Sequence, residues 1–154
     1  MAVLPTGILS IPVERLAELV ASSTTFQAKT GTVSEATALP FVFRPVKDEP
    51  HSGAFAVVQE MAFGVKSNFG AFASGVLILQ FWDEVTEVAQ QDAWYDFGNF
   101  VGAVIKDVIN ESRKGGRLLI REGIDQVGSI RAKRTEESDY FFKEFNVPYG
   151  ITAA

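Results

Sequence analysis

The chain has no cysteine and a single histidine among its 154 residues. Without cysteine there is no disulfide, no thiolate metal site and no thiol nucleophile. This composition fits a reducing compartment. A serine triad would need the lone histidine, His51, beside a serine and an orienting acid, and no GxSxG elbow exists here. Cations are also short. Fourteen Lys and Arg against nineteen Asp and Glu leave a net charge of −5, which argues against a dedicated nucleic-acid surface, since phosphate binding needs clustered cations. Long apolar runs are missing too. The longest are strand-sized, so no membrane-spanning helix is expected. The N-terminus has neither a basic n-region nor a long apolar run, so no signal peptide is expected.

What the chain does have is apolar and aromatic bulk. A hydrophobic share of 47% with thirteen Phe is enough for a real core, and the length fits one domain over residues 1–154. A chain of this size buries about two-thirds of its unfolded surface and needs no staples.

The organising stretch is residues 92–112. Trp94, Phe97, Val101, Val104, Ile105, Val108 and Ile109 recur at the period of one buried helical stripe. Asp92, Asp96, Asn99, Lys106, Asp107, Asn110 and Glu111 fall on the opposite side. Asp92 can cap the helix start, and Asp96 favours the positive end of the dipole. Arg113, Lys114 and Gly115-Gly116 provide the stop. Gly98 and Gly102 each cost about 1 kcal/mol against Ala inside a helix. The expected compensation is close approach of another backbone, a sheet.

Residues 1–10 read as an arm or a first short strand. Pro12 suits the first turn of a helix, whose stripe Val13, Leu16, Ala17, Leu19 and Val20 runs to about Ala21. Thr24 or Thr25 can cap a second turn closed by Gly31, and Ser34 caps a third that Pro40 ends. Residues 41–44 are a short strand and 45–53 a polar loop. Residues 54–64 alternate with period two, placing Phe55, Val57, Met61 and Phe63 on one face. Residues 66–75 read as a long hairpin tip. VLILQFW, residues 76–82, reads as a central strand, and 83–91 as an acidic connection. After the long helix, Leu118 to Ile130 gives two short strands or one bent strand with bulges. Residues 131–139 read as a charged turn. Residues 140–149 form the last strand, with Phe141, Phe145, Val147 and Tyr149 sharing a face around Lys143. Pro148 puts the end of that strand on an edge or beyond the ladder, and residues 151–154 are a short tail. The predicted fold class is α+β: a mostly antiparallel or mixed sheet packed on one long helix, with short N-terminal helices.

No catalytic, cofactor or metal constellation emerges. His51, after Asp48 and Glu49, is best read as a solvated loop residue. Asp83, Glu84 and Glu87, with Asp92 and Asp96, could in principle bind Mg²⁺ or Ca²⁺ or do acid–base work. Their spacing matches no EF-hand loop, and a solvated connection explains them. The glycines at 115–116 and 70–75 match neither the P-loop nor the dinucleotide fingerprint. Two features point outward as candidate interfaces. Phe69 and Phe72 sit in the hairpin tip and either fold back or anchor a partner. Arg131, Lys133 and Arg134, with Arg113, Arg117 and Arg121 near in sequence, are either a mixed-charge turn or a site for acidic residues of a neighbouring subunit.

The order LAELVASSTTFQAKTG, SEATAL, GVLILQFWDEV, FGNFVGAVIKDVI, LLIREGIDQVGSIRA and DYFFKEFNVPYGI resembles the tail terminator (tail-completion) neck proteins of long-tailed bacteriophages. The resemblance covers nearly the whole chain as an order of elements. It implies a non-enzymatic α+β subunit without cofactor that assembles as a hexameric ring. The ring would cap the major tail tube protein and face the head-side connector or stopper. DNA would pass through the lumen without specific binding. The implied location is the virion tail neck, after assembly in the host cytoplasm. A stopper or head-completion role in the same neck, and a small-molecule-binding α+β domain with an aromatic pocket between helix and sheet, are the alternatives.

Overall fold

A computed structural model describes residues 11–44, 52–66, 71–85, 91–114, 119–120, 123–135 and 138–153. The N-terminal arm at 1–10, His51, Phe69, Glu87, Gly115-Gly116, Arg117 and Arg121 lie outside the described residues.

Three short helices come first. α1, Ile11–Ala21, carries Pro12 in its first turn and buries Leu16, Ala17, Leu19, Val20 and Ala21, the stripe that its spacing predicts. α2, Thr24–Thr30, is capped by Ser23, whose hydroxyl accepts from the Phe26 N–H. The cap is therefore ahead of both threonine candidates, directly before Thr24. Its end is closed by Gly31 at φ 73°, a left-handed position that glycine takes without a Cβ penalty. α3, Glu35–Ala38, begins with a capping box between Ser34 and Thr37. The chain then tightens into a 3-10 turn, Leu39–Phe41, with Pro40 in its first positions.

The strands are β1, Val42–Phe43, β2, Ala54–Lys66, and β3, Ala71–Val85. The helix α4, Gln91–Ser112, follows, and then β4, Leu119–Ile120, β5, Asp125–Arg134, and β6, Asp139–Ala153. The sheet order is β1-β2-β3-β6-β4, with β5 pairing on the same side of β6 as an alternative neighbour. β1 is parallel to β2 and every other pairing is antiparallel. The fold class is thus α+β, as the pattern predicts.

Several boundaries differ from the sequence reading, each for a physical reason. The hairpin tip is short: β2 runs to Lys66 and β3 starts at Ala71, with Lys66 paired to Phe72. Residues 71–75, Ser74 and Gly75 among them, are held in the ladder by β6 on their other side. β3 continues through Asp83 and Glu84 to Val85, because Asp139, Tyr140 and Phe141 supply partners there. Arg131, Lys133 and Arg134 belong to β5, not to a turn; the turn is Thr135 to Ser138, where the Thr135 N–H donates to the Ser138 carbonyl. Residues 151–153 are no tail, since they pair with Ala71, Phe72 and Ala73. Pro148 sits inside a central strand. Its partner on the inner side is Val76, and the described pairs on the outer side run to Asn146 with β5 and start at Tyr149 with β4; proline fits the extended strand backbone and gives up only its own N–H.

The helices cover one face of the sheet. Ala54, Ala56 and Val58 of β2, Leu77, Leu79 and Phe81 of β3, and Phe141, Phe145, Val147 and Tyr149 of β6 meet Phe97, Phe100, Val101, Val104 and Val108 of α4 in one cluster. Phe100, missing from the predicted stripe, replaces Trp94, which is 42% exposed. Phe100 stacks with Phe26 at 6.3 Å and meets Phe81 edge-on at 6.0 Å. These contacts rotate the buried stripe toward α2 and away from Trp94. Gly98 does approach β5, but its neighbour is the Ile130 side chain at 3.4 Å, not a backbone. Gly102 is exposed, with open space where a Cβ would lie. Asp92 lies in the first turn of α4 rather than at its cap.

Candidate functional site

The other face of the sheet carries a second, smaller apolar cluster. Its alternation follows from the strand period: Phe55 and Val57 of β2 point away from the helices that Ala54, Ala56 and Val58 meet. Phe55, Val57 and Tyr140 are buried there, with Phe43 and Trp82 packed against them. Phe55 stacks on Trp82 at 5.8 Å, Tyr140 meets Trp82 edge-on at 5.7 Å, and Phe142 lies 4.8 Å from Trp82.

The register of β5 on β6 sets Arg131 opposite Phe142 and Lys133 opposite Tyr140. Both cations therefore lie over this aromatic face. The Lys133 ammonium is 4.6 Å from the Phe142 ring centre and 5.5 Å from that of Trp82. The Arg131 guanidinium is 5.1 Å from Phe142. Arg134 points elsewhere: it is solvent-exposed and only 3.9 Å from Asp139, a weak surface pair. So the predicted basic cluster is split, two members over the protein's own rings and one in solvent. Of the predicted aromatic anchors, Phe72 lies in β3 opposite Lys66 and Thr152, and Phe69 is outside the described residues.

Lys143, which the sequence pattern places only on the inner face of the last strand, has a further role. It is buried on the helix side of β6, and its ammonium donates to the Gly128 carbonyl. Gly128 stands at φ 72°, inside a bulge where Gly128, Ser129 and Ile130 oppose Lys143 alone. Burial, with the Arg131 charge adding to it, holds the Lys143 pKa below the ordinary lysine value. The signal for this was Gly128 between Val127 and Ile130, which the sequence marks as a bulge without naming what fills it.

The acidic cluster is dispersed. Asp83 pairs with Lys29 at 3.1 Å. Its pKa is raised by burial, with Lys29 acting against that shift. Glu84 accepts from the Ser138 hydroxyl. Asp92 and Asp96 are exposed on α4. Among the described residues no three His, Cys, Asp or Glu side chains are grouped so that they could hold a metal ion.

The chain is similar to a solved chain titled "Virion of native gene transfer agent (GTA) particle", at 15% identity and a TM-score of 0.46, over 95% of this chain and 100% of that one. No family model and no curated protein matches it.

Between α4 and the sheet, where a small-molecule pocket was an alternative, Phe26, Phe81, Phe97, Phe100, Phe141 and Phe145 pack on one another. The phenylalanine excess goes into the core there. Outward-facing aromatics are found instead at the start of α4, where Trp94 and Tyr95, 42% and 52% exposed, meet edge-on at 5.2 Å.

Proposed function

We propose that this chain is a structural protein of a phage virion, a tail terminator that forms a hexameric ring on the end of the tail tube. The observation that carries the reading is the order of elements: short capped helices, a long hairpin, one long helix across the sheet, a glycine-bulged strand and a final aromatic strand. The partners in this reading are the major tail tube protein and the head-side connector or stopper. It acts in the virion neck after assembly in the host cytoplasm, and residues 1–154 work as a single domain.

The β2–β3–β6 ribbon supports the reading physically. The three strands stay paired beyond Val58, Leu77 and Tyr149, to Lys66, Ala71 and Ala153. An arm of this kind suits contact between subunits, and a ring needs one surface to meet a different one on the next copy. Phe72 of β3, the solvent-facing Arg134 and Phe69, which lies outside the described residues, are the residues this reading assigns to such contacts. Arg131 and Lys133 act there through the strand they anchor to its aromatic face. A net charge of −5 suits a lumen that DNA traverses without being gripped.

Electron microscopy of purified tail tubes incubated with the protein tests this. The expected result is one ring at one end of each tube and no further tube growth. A protein that stays monomeric in the presence of tubes and never decorates their ends overturns it.

A further inference from the structure

The solvent-facing ridge of α4 is a second surface, and it does not depend on the tail reading. Asp92, Tyr95, Asn99, Gly102, Lys106 and Asn110, with Arg113 in the turn directly after the helix, succeed one another at steps of three and four, and all seven are exposed. The ridge is about 33 Å long for the 22 helical residues. Its charge is graded: acid at the start, neutral and small in the middle, basic at the end. Gly102 stands at the midpoint with open space beside its Cα.

We propose that this ridge docks the same ridge of a second copy, the two helices running antiparallel and crossing at Gly102. The self-complementarity is the argument. About a two-fold axis between positions 102 and 103, Asp92 of each copy faces Arg113 of the other. Asn99 faces Lys106, and Tyr95 faces Asn110 with cations on either side of its ring. Every charged position meets an opposite charge or a neutral polar group, and no like charges meet. A glycine at the crossing lets the two backbones approach as bulkier residues would not. The monomer gives Gly102 no other contact that rewards its presence in an exposed helix. Such a contact is isologous and cannot by itself close a ring, so it is distinct from the subunit contacts of the tail reading. One helix pair is at the low end of stable interface sizes, so the association is weak, concentration-dependent and suppressed by salt.

The test is sedimentation equilibrium of the isolated full chain at low salt, over about 10 to 500 µM, the range in which a weak contact is populated. The mass should rise from 16.8 kDa toward twice that value. Asp92→Arg makes the ridge all basic at its ends, and the double change Lys106→Glu with Arg113→Glu makes it all acidic. Each should weaken self-association about tenfold or more through like-charge contact, and mixing the two should restore it. Gly102→Leu should also weaken it with the charges untouched. All these positions are exposed, and circular dichroism of each variant checks that the fold is kept. A wild-type mass of 16.8 kDa throughout, or a mixture that associates no better than either variant alone, overturns the proposal. Failure here leaves ring formation on tail tubes to its own experiment.

Discussion

At the residue scale the telling position is Lys143. Among the described residues it is the only buried charged side chain, and what it meets there is a carbonyl and a ring: the Gly128 oxygen and, at 5.7 Å, the Phe145 ring. Burial lowers its pKa in the folded protein, and Arg131 adds to that. The sign of the pH effect follows from linkage. Between the folded pKa and the unfolded value of 10.5, the unfolded chain keeps a proton that the folded chain has shed. Stability from this site therefore rises with pH through that window and is complete above 10.5. As pH falls through the folded pKa, the cost of burying the charge is felt in full. The stability of the wild type relative to Lys143→Met should accordingly increase as pH is raised toward 10.5, measured by urea denaturation at a series of alkaline pH values. Tyr149 titrates with the opposite sign. Burial, reinforced by Glu60, raises its pKa, and stability from it is lost as pH rises through that raised value. Both proteins carry Tyr149, so its effect cancels in the difference.

At the scale of elements, α4 shows what a sequence pattern can carry. Its extent, its buried face and its place in an α+β layer follow from the spacing of Phe97, Val101, Val104 and Val108. The pattern could not rank Trp94 against Phe100, since both fit a stripe about 100° wide. Packing against Phe26 and Phe81 decides for Phe100, and those partners come from α2 and β3. The two glycines were equally indistinguishable in sequence, and the structure separates them. Gly98 faces Ile130, while Gly102 faces solvent. In the monomer, Gly102→Ala meets no neighbour and gains helix propensity, so it should stabilise the fold by about 1 kcal/mol. Thermal unfolding at low protein concentration, where self-association is negligible, checks this. A destabilised variant would mean that something packs on the ridge even in the monomer.

β5 teaches the complementary lesson. Arg131, Lys133 and Arg134 read as a turn because charge runs near Glu136, Glu137 and Asp139 are usually solvated. Their strand is specified by what lies across it on β6. Phe142 there, and Trp82 of the next strand β3, offer ring faces to two of the three cations, each cation–ring contact contributing about 0.5–1 kcal/mol at a partly exposed site. The candidate interface was thus legible as residue types but not as directions. Direction depends on strand register, and register here is shifted by the bulge between Val127 and Arg131.

At the scale of the whole molecule, the sheet is completed last. β6 is the final strand, yet it lies between β3 and the β4/β5 edge and contributes Phe141, Phe145, Val147 and Tyr149 to the core. Its partners are far away in sequence; Gln80 donates to Glu144 across 64 residues at 2.8 Å. A centre built from distant strands is reached only after much chain entropy has been lost, so refolding should fall in the millisecond-to-second range of non-local sheets. The same topology predicts how truncation divides the chain. Ending it after Tyr149 removes only the ribbon pairs of residues 150–153 with 71–74, together with β4's pairing at Gly150, and leaves every named β6 core residue in place. That variant should keep its helix and sheet signals with a reduced melting temperature. Ending the chain at Ser138 takes away all of β6. It leaves β4 and β5 without their partner, strips β3 of one of its two neighbours and opens the core along its length, so no cooperative thermal transition should remain. Far-ultraviolet circular dichroism with melting of the two variants separates the outcomes. If the longer variant fails to fold, the ribbon beyond the core is part of the subunit's own stability, and its role as a contact arm loses its physical basis.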